Sequence, residues 1–330
     1  MAIRYQIIRQ LADGRFHSGE ALAHAFGVSR AAVWKQLKLL QEQLQMDLHA
    51  VSGRGYRLVQ PLELLDPQQI LGGLSPEAHA CINGLDVHDC VDSTNAHLMR
   101  LASEGAPSGR VCLAEQQTAG RGRRGREWVS PYGSNIYLSI LWRYPLAPVQ
   151  LSGLSLAAGV ATVRALKRLG VKDIGLKWPN DILCQGRKLA GLLLEVAGES
   201  QGPSRVVLGL GLNTSLTDAQ AQTIDQPWID LATVPGGRKV SRNRLASELL
   251  DQLLMVLTAF ESNGLAPLLD EWHEYDLYHG RAISLRMVNR SIEGVHQGID
   301  QTGALLLAVN GKVQAYHAGE VSLRTGPVNG

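Results

Sequence analysis

The sequence predicts an α+β chain in three parts: an N-terminal winged helix-turn-helix, a central mixed α/β domain and a small C-terminal β-barrel. Three observations predict it. The first sixty residues carry three helical apolar periodicities and then a short hairpin pattern. From about Asp86, strand-like runs mix with amphipathic helices. The last fifty residues break into short strands, Ala282 to Val288, Gly294 to Ile299, Ala304 to Val309 and Lys312 to Tyr316, with the hairpin signal Asn310-Gly311 between the last two. The expected boundaries are 1–62 for the winged helix, 63–82 for a Pro-bracketed linker that includes Pro67, 83–272 for the central domain and 273–330 for the barrel.

In the first part, Ile3, Ile7, Ile8 and Leu11 share one helix face, and Asp13-Gly14 ends that helix. Ser18 suits the cap of a second helix that turns Leu22, Ala23 and Phe26 inward. Gly27-Val28-Ser29 is a tight turn, and Ser29 suits the next cap. The third helix has Val33, Leu37, Leu40 and Leu44 as its core stripe and shows Arg30, Trp34, Lys35 and Lys38 on its other face. Leu48 to Leu58 reads as a wing with Ser52-Gly53-Arg54-Gly55 at its tip. For DNA, this arrangement places Arg30, Ala31, Trp34 and Lys35 in the major groove and Arg54 on a phosphate. The same three-helix unit also serves as a protein-interaction module with solvated charges.

Composition supports a folded chain with one basic end. Apolar residues are 45 % and charged residues 19 %, which excludes a disordered class. Net charge is +2, but residues 1–60 hold eight Lys or Arg against four Asp or Glu. A basic head on a slightly acidic body suits nucleic acid at one end. The four cysteines, Cys81, Cys90, Cys112 and Cys184, form no CxxC pair, so no zinc site is expected and buried free thiols are. The N-terminus has no apolar signal core, and no apolar run is read as long enough to span a bilayer. The expected location is the cytoplasm, with no membrane partner.

The central domain carries the chemistry. Asp92-Ser93-Thr94-Asn95 precedes an amphipathic helix, where small polar residues cap the helix or bind a polar ligand. A strand, Val111 to Gln116, leads into Gly120-Arg121-Gly122-Arg123-Arg124-Gly125-Arg126-Glu127-Trp128. This contains a formal GxGxxG, but Pro131 and Gly133 follow where a dinucleotide fold needs a helix, and no GxxxxGK[ST] loop is present. What remains is a pliable loop with four guanidiniums. Glycine lets backbone N–H groups approach an anion, arginine supplies planar paired donors, and Trp128 offers a stacking face. Mutual repulsion predicts a loop that orders when an anion arrives; a merely solvated basic loop is the competing reading. Lys177-Trp178-Pro179-Asn180-Asp181 then sets an ammonium, an amide and a carboxylate within five residues. Asp181 suits positioning a metal or an amine, although Asn and Asp also simply form turns. Lys188 opens a buried strand, where it should meet an anion.

These segments, with Lys188-Leu189-Ala190-Gly191, Gly209-Leu210-Gly211-Leu212-Asn213 and Gly319-Glu320, resemble the bifunctional biotin–protein ligase (biotin–[acetyl-CoA-carboxylase] ligase) and biotin operon repressor family over nearly the whole chain. The resemblance implies a biotin/lipoate ligase-like central domain and an SH3-like barrel. It implies ATP, Mg²⁺ and biotin as reactants, with biotinyl-5′-AMP as both intermediate and corepressor. It implies the biotin carboxyl carrier protein of acetyl-CoA carboxylase as acceptor, biotin operator DNA as a partner, and a homodimer when the adenylate is bound. Carried over by position, Ser93, Thr94, Asn95, Gln117, Gly120, Arg121, Gly122, Arg123, Lys188, Gly191 and Gly209 would hold biotin. Arg123, Arg124, Arg126, Trp128, Lys177, Asn180, Asn213 and Arg324 would hold the nucleotide. Arg121, Arg123, Lys188 and Asp181 would act in catalysis, and Ser18, Ser29, Arg30, Ala31, Trp34, Lys35 and Arg54 on DNA. Glu320 and Arg324 would reach back to nucleotide or carrier, or else lie on an edge strand. Thr118 stands where relatives often have a second Gln. A lipoate ligase, an adenylate-sensing transcription factor without ligase activity, and a ligase whose N-terminal module no longer binds DNA are the alternatives.

Overall fold

A computed structural model describes residues 3–44, 46–238, 240–286 and 291–317, together with the backbone of 322–324. The N-terminal unit has helices α1 (Ile3–Leu11), α2 (Gly19–Phe26) and α3 (Arg30–Leu44) and a wing of β1 (Leu48–Val51) and β2 (Gly55–Leu58). Ile7, Ile8, Leu11, Leu22, Val33, Leu37, Leu40 and Leu58 form its core, so the read periodicities are the packed faces. Ser18 Oγ accepts from the Ala21 N–H at 3.0 Å and Ser29 Oγ from the Ala32 N–H at 3.2 Å, which fixes both helix starts. Gly27 ends α2 in the left-handed region at φ 64°, where a side chain would be strained.

The segment expected as a linker is instead part of the large core. It forms α4 (Pro67–Gly72) and α5 (Pro76–Ala80), and Leu65, Ile70 and Ala78 pack into the main cluster. The physical reason is capping: Asp66 and Ser75 are N-caps directly before Pro67 and Pro76, so the prolines start helices here. Polar contacts reinforce this. Glu63 accepts from Ser241 Oγ at 2.5 Å and from the N–H groups of Arg242 and Asn243 at 2.8 and 3.1 Å. Burial opposes ionisation of Glu63, but these hydrogen bonds outweigh it and hold its pKa below the ordinary value.

The central sheet comprises β3 (Gly84–His88), β4 (Arg110–Ala114), β5 (Asn135–Tyr144), β6 (Ile174–Lys177), β7 (Asp181–Cys184), β8 (Arg187–Gly198) and β9 (Ser204–Asn213). Its order is β3-β4-β5-β9-β8-β7-β6; β3 and β4 run parallel and all other neighbours antiparallel. Helix α6 (Thr94–Ser103) covers one face, with Leu98 and Ala102 on Cys112, Leu141 and Val207. Helices α7 (Leu154–Arg168) and α9 (Arg242–Asn263) cover the other. A short α8 (Asp218–Ala221) lies between β9 and α9, and α10 (Leu269–Tyr275) follows.

The reading of no membrane-length apolar run needs correction. Pro148–Arg168 is long and apolar enough, with mean hydropathy 1.3 over its best window, but 67 % of that window is buried inside the fold. It is apolar all round because α7 is sandwiched between the sheet and α9.

The C-terminal unit has β10 (Ala282–Arg286), β11 (Ser291–Ile299), β12 (Leu305–Val309), β13 (Lys312–Tyr316) and β14 (Ser322–Arg324) in the order β13-β12-β11-β10-β14. Asn310 and Gly311 both have positive φ, 48° and 76°, as a two-residue hairpin requires. Among the described residues β13 and β14 are the two edges, so the small β-domain is an open antiparallel sheet and the expected closed barrel is not seen. It is tied to the central domain by Trp178 Nε1, which donates to the Gly303 carbonyl at 3.1 Å.

The winged helix also meets the central domain directly. Tyr132 packs in the N-terminal core, stacked on Tyr5 at 5.7 Å between ring centroids. Its hydroxyl donates to Asp89 at 3.1 Å, and Arg9 of α1 pairs with the same carboxylate at 2.7 Å. Tyr132 follows Trp128 by four residues, so one chain segment joins the basic loop to the DNA-type module.

Candidate active site

The site lies on the α6 face of the central sheet. Strand alternation makes its floor. In β9, Leu208, Leu210 and Leu212 point to the α7–α9 core, and Gly209 and Gly211 point the other way. Gly211 pairs with Gly191 of β8, which in turn pairs with Asp181 of β7. The bare glycines are required by what lies over them. A Cβ on Gly209 would sit 2.2 Å from Asn95 Oδ1, and one on Gly211 would sit 2.4 Å from the Trp128 indole.

Above this floor is a cleft that opens to solvent. Its walls gather Ser93, Thr94, Asn95, Gln117, Arg121, Gly122, Arg123, Arg124, Arg126, Trp128, Lys177, Asn180, Asp181, Lys188, Gly191 and Gly209, nearly all the residues expected for biotin and nucleotide. A second chamber adjoins it, lined by Asn213, Thr223, Ile224, Asp225 and Trp228 among others. Arg126, Glu127, Trp128, Lys188 and Gln226 line both chambers. Two connected chambers with Lys188 and Trp128 at the junction suit two substrates that must meet.

The polar end of the first chamber is a connected hydrogen-bond network. Thr94 donates from its N–H to Gln117 Oε1 at 2.9 Å, and Gln117 Nε2 donates to Ser130 Oγ at 3.0 Å. Ser93 caps α6 through the Ala96 N–H at 3.4 Å. Ser139 Oγ lies 2.7 Å from Thr94 Oγ1 and 2.6 Å from Asn95 Oδ1. Asn95 Nδ2 donates to Glu195 at 2.8 Å. Ser139 and Glu195 were missed in the sequence. The only signal was a serine inside the apolar run of β5, which marks a buried hydroxyl in need of partners.

The basic loop is folded into a short hairpin over the cavity. Gly122 N–H donates to the Arg126 carbonyl at 2.8 Å and Trp128 N–H to the Gly120 carbonyl at 2.9 Å. Arg123 turns inward and donates to Asn180 Oδ1 at 3.2 Å. Burial lowers the Arg123 pKa; Asp181 nearby works against that shift, and Arg124 adds to it. Arg124 and Arg126 are exposed. Arg121 is on the outer lip, with Nη1 3.9 Å from Glu195. Lys188 pairs with Asp181 at 2.7 Å and stands 5.4 Å from the Trp128 ring centroid. Trp128 Nε1 is buried without a partner, so the junction has a donor left for a ligand.

Some expected residues sit differently. Gly120 is buried under the loop, packed on the Trp128 carbonyl and Ser130, outside the cavity wall. Asn213 lines the second chamber, but its amide donates to the Ile229 carbonyl at 3.2 Å and so braces the 226–231 wall. Lys177 lines the cavity near the C-terminal sheet, with its ammonium 5.8 Å from the Tyr278 ring. The side chain of Arg324, and Gly319 and Glu320 entirely, lie outside the described residues. Of the four cysteines, Cys112 and Cys184 are buried and Cys81 and Cys90 only half-buried; all are free.

On the DNA-type module, Arg30, Ala31, Trp34 and Lys35 line one exposed face of α3, and Trp34 is 57 % exposed. Arg54 on the wing lies 4.3 Å from the Phe16 ring centroid, with Arg57 beside it at 5.1 Å. Ser18 and Ser29 are exposed with their hydroxyls engaged in capping.

A sheet floored with glycine under a basic hairpin, joined to a winged helix, defines an acyl-adenylating ligase fold with a DNA-binding-type module. The Biotin/lipoate A/B protein ligase family model matches residues 87–213, an HTH domain model 4–57, and the Biotin protein ligase C terminal domain model 278–324. The Bifunctional ligase/repressor BirA of Escherichia coli (strain K12) is 40 % identical over 320 residues, 97 % of each chain. The protein of the same description from Bacillus subtilis (strain 168) is 31 % identical over 94 % of this chain and 95 % of its own. A solved biotin protein ligase from Aquifex aeolicus in complex with biotin and ATP matches with TM-score 0.62 at 26 % identity, over 74 % of this chain and all of that one. The chain belongs to the family of bifunctional ligase/repressor proteins.

Proposed function

We propose that the protein is an ATP-dependent biotin–protein ligase and a transcriptional repressor of biotin synthesis genes. The observation that carries the ligase reading is the pair of chambers meeting at Lys188 and Trp128 beneath the arginine hairpin. Biotin enters the first chamber, where Thr94, Asn95 and Gln117, braced from behind by Ser139, offer donors and acceptors for its ureido group, and its carboxylate reaches Lys188. ATP takes the second, with Trp128 against adenine and Arg123 and Arg126 on phosphate. The carboxylate oxygen attacks the α-phosphorus, pyrophosphate leaves, and biotinyl-5′-AMP remains. Two anions repel as they approach, and Arg121, Arg123 and Lys188 offset that charge in a partly dry site. Mg²⁺ would arrive with the nucleotide and screen its phosphates; among the described residues the cavity carboxylates form no three-ligand cluster. A lysine amine of the biotin carboxyl carrier protein of acetyl-CoA carboxylase then attacks the acyl carbon, and AMP leaves. As the substrate carboxylate draws Lys188, Asp181 loses its partner and is placed to orient the incoming amine and take its proton.

The direct test mixes the protein with biotin, Mg-ATP and an acceptor domain. Pyrophosphate release and stable biotin attachment are expected, with lipoate a poor competitor. Release with lipoate alone would assign the other vitamin. Gly211→Ala should weaken nucleotide binding about 5- to 150-fold, because the new Cβ overpacks against Trp128 at a cost of about 1–3 kcal/mol. Unchanged ATP affinity in that variant would remove Trp128 from the nucleotide site.

For regulation, unconsumed biotinyl-5′-AMP orders the hairpin. Through Tyr132, Tyr5 and the Arg9–Asp89 pair, this favours a homodimer that presents two α3 helices to a two-fold biotin operator in the cytoplasm. Gel-shift on biotin-operon promoter DNA should tighten with biotin plus ATP. Arg54→Ala, which removes the wing cation expected on a phosphate, should weaken binding and reduce the salt slope by about 1. Operator affinity indifferent to the adenylate would refute the coupling.

A further inference from the structure

We propose that His88, His97 and Cys112 form a binding site for a divalent transition-metal ion of the zinc class, at the β3–β4 edge of the central sheet. The three residues come from three elements: His88 from the end of β3, His97 from α6 and Cys112 from β4. In the β3–β4 register Asp86 faces Cys112 and His88 faces Ala114, so His88 and Cys112 share the face that α6 covers. A donor atom of each of the three lies within 4.8 Å of the others. The two imidazoles meet edge to face, with centroids 4.8 Å apart and planes at 63°. Cys112 is fully buried beneath them, and both histidines are half-buried.

A further observation points to a ligand here. His88 Nε2 is buried without a hydrogen-bond partner, where buried nitrogens ordinarily have one. Two imidazoles and a sulfur are a borderline-soft set that suits Zn²⁺ or Co²⁺ and not Mg²⁺ or Ca²⁺. Bonds of about 2.0–2.3 Å need donors about 3.3–3.8 Å apart, so the rings close by about 1 Å on the ion. The half-buried rims leave the fourth position to water.

The proton balance is explicit. Binding forms a metal–sulfur bond and expels the Cys112 thiol proton to solvent. Affinity should therefore rise with pH. The charges around the site are Asp86 and Arg110 from the two strands, Asp92 just before α6 and Arg100 on it, held as two ion pairs. An ion would fasten α6 to β3 and β4 one helical turn beyond Ser93–Asn95. The absence of CxxC spacing gave no sign of this, because the ligands converge only through the fold.

The test uses the full chain, reduced without thiols, and Co²⁺ as probe. One equivalent should give a sulfur-to-cobalt charge-transfer band and tetrahedral visible bands, both erased by Zn²⁺. Cys112→Ser should lose the charge-transfer band, whereas Cys81→Ser with Cys90→Ser should keep it. His97→Gln should weaken binding by at least about 100-fold, beyond what loss of an outer partner costs. His88→Gln at the sheet edge is the second variant should His97→Gln fold poorly. Wild-type protein without the charge-transfer band at one equivalent, or a band that survives both histidine variants, overturns the proposal.

Discussion

Replacing Arg123 with alanine should slow formation of the adenylate by about 10²–10³-fold, the usual effect of removing one preorganised donor from a developing anion. Arg123 is the guanidinium of the hairpin that turns inward, held by Asn180 at 3.2 Å and facing Asp181. Burial lowers its pKa, yet a guanidinium stays charged throughout the physiological range. Its cation therefore sits in a partly dry site where charge is worth most. The loss should fall on kcat more than on the biotin KM, because the phosphoryl charge develops after binding. Arg123→Lys should not restore the rate, since a single ammonium cannot offer two planar donors. Single-turnover pyrophosphate release is the measurement. A rate within about threefold of wild type would show that the hairpin is a cover and not a catalyst.

Much of this arrangement was legible in the chain itself, wherever one residue's partner lies nearby in sequence. The stripe Val33, Leu37, Leu40 and Leu44 is local and reads directly as the buried face of α3. The basic hairpin and the turn at Asn180-Asp181 were visible as motifs, and the fold brings them together through the Arg123–Asn180 bond. What could not be read is what depends on distant strands. Ser139 is one hydroxyl in an apolar run until β5 pairs with β9 beside Asn95. Trp178 is buried, and its indole N–H donates to the Gly303 carbonyl, far along the chain. Asn213 looked like a nucleotide ligand, but its amide holds the wall at Ile229. The segment 63–82 has the punctuation of a linker, and only its contacts with α9 show that it is core.

Those contacts lead to the largest stability effect expected. Arg242, at the start of α9, is 7 % exposed and meets Glu115 at 2.8 Å, the Glu63 carbonyl at 2.7 Å and the Asn135 carbonyl at 2.7 Å. Glu115 is fully buried and uses its other oxygen to accept from the Leu65 N–H at 2.5 Å. One ion pair thus joins the end of β4, the start of β5, the 63–65 segment and α9. Arg242→Ala would leave the Glu115 carboxylate buried without its cation, a loss of about 3–5 kcal/mol. The pair need not be net stabilising over a well-packed apolar substitute, so Arg242→Met with Glu115→Leu should recover most of that loss. Urea unfolding of both variants separates the two effects. The damage should also reach the site. Glu115 lies two residues from Gln117, which holds the Thr94 N–H at 2.9 Å, so Arg242→Ala should weaken biotin binding even where the protein remains folded. A loss below about 1 kcal/mol, or biotin affinity equal to wild type, would mean that water enters and screens Glu115, and that the brace does not extend to the pocket.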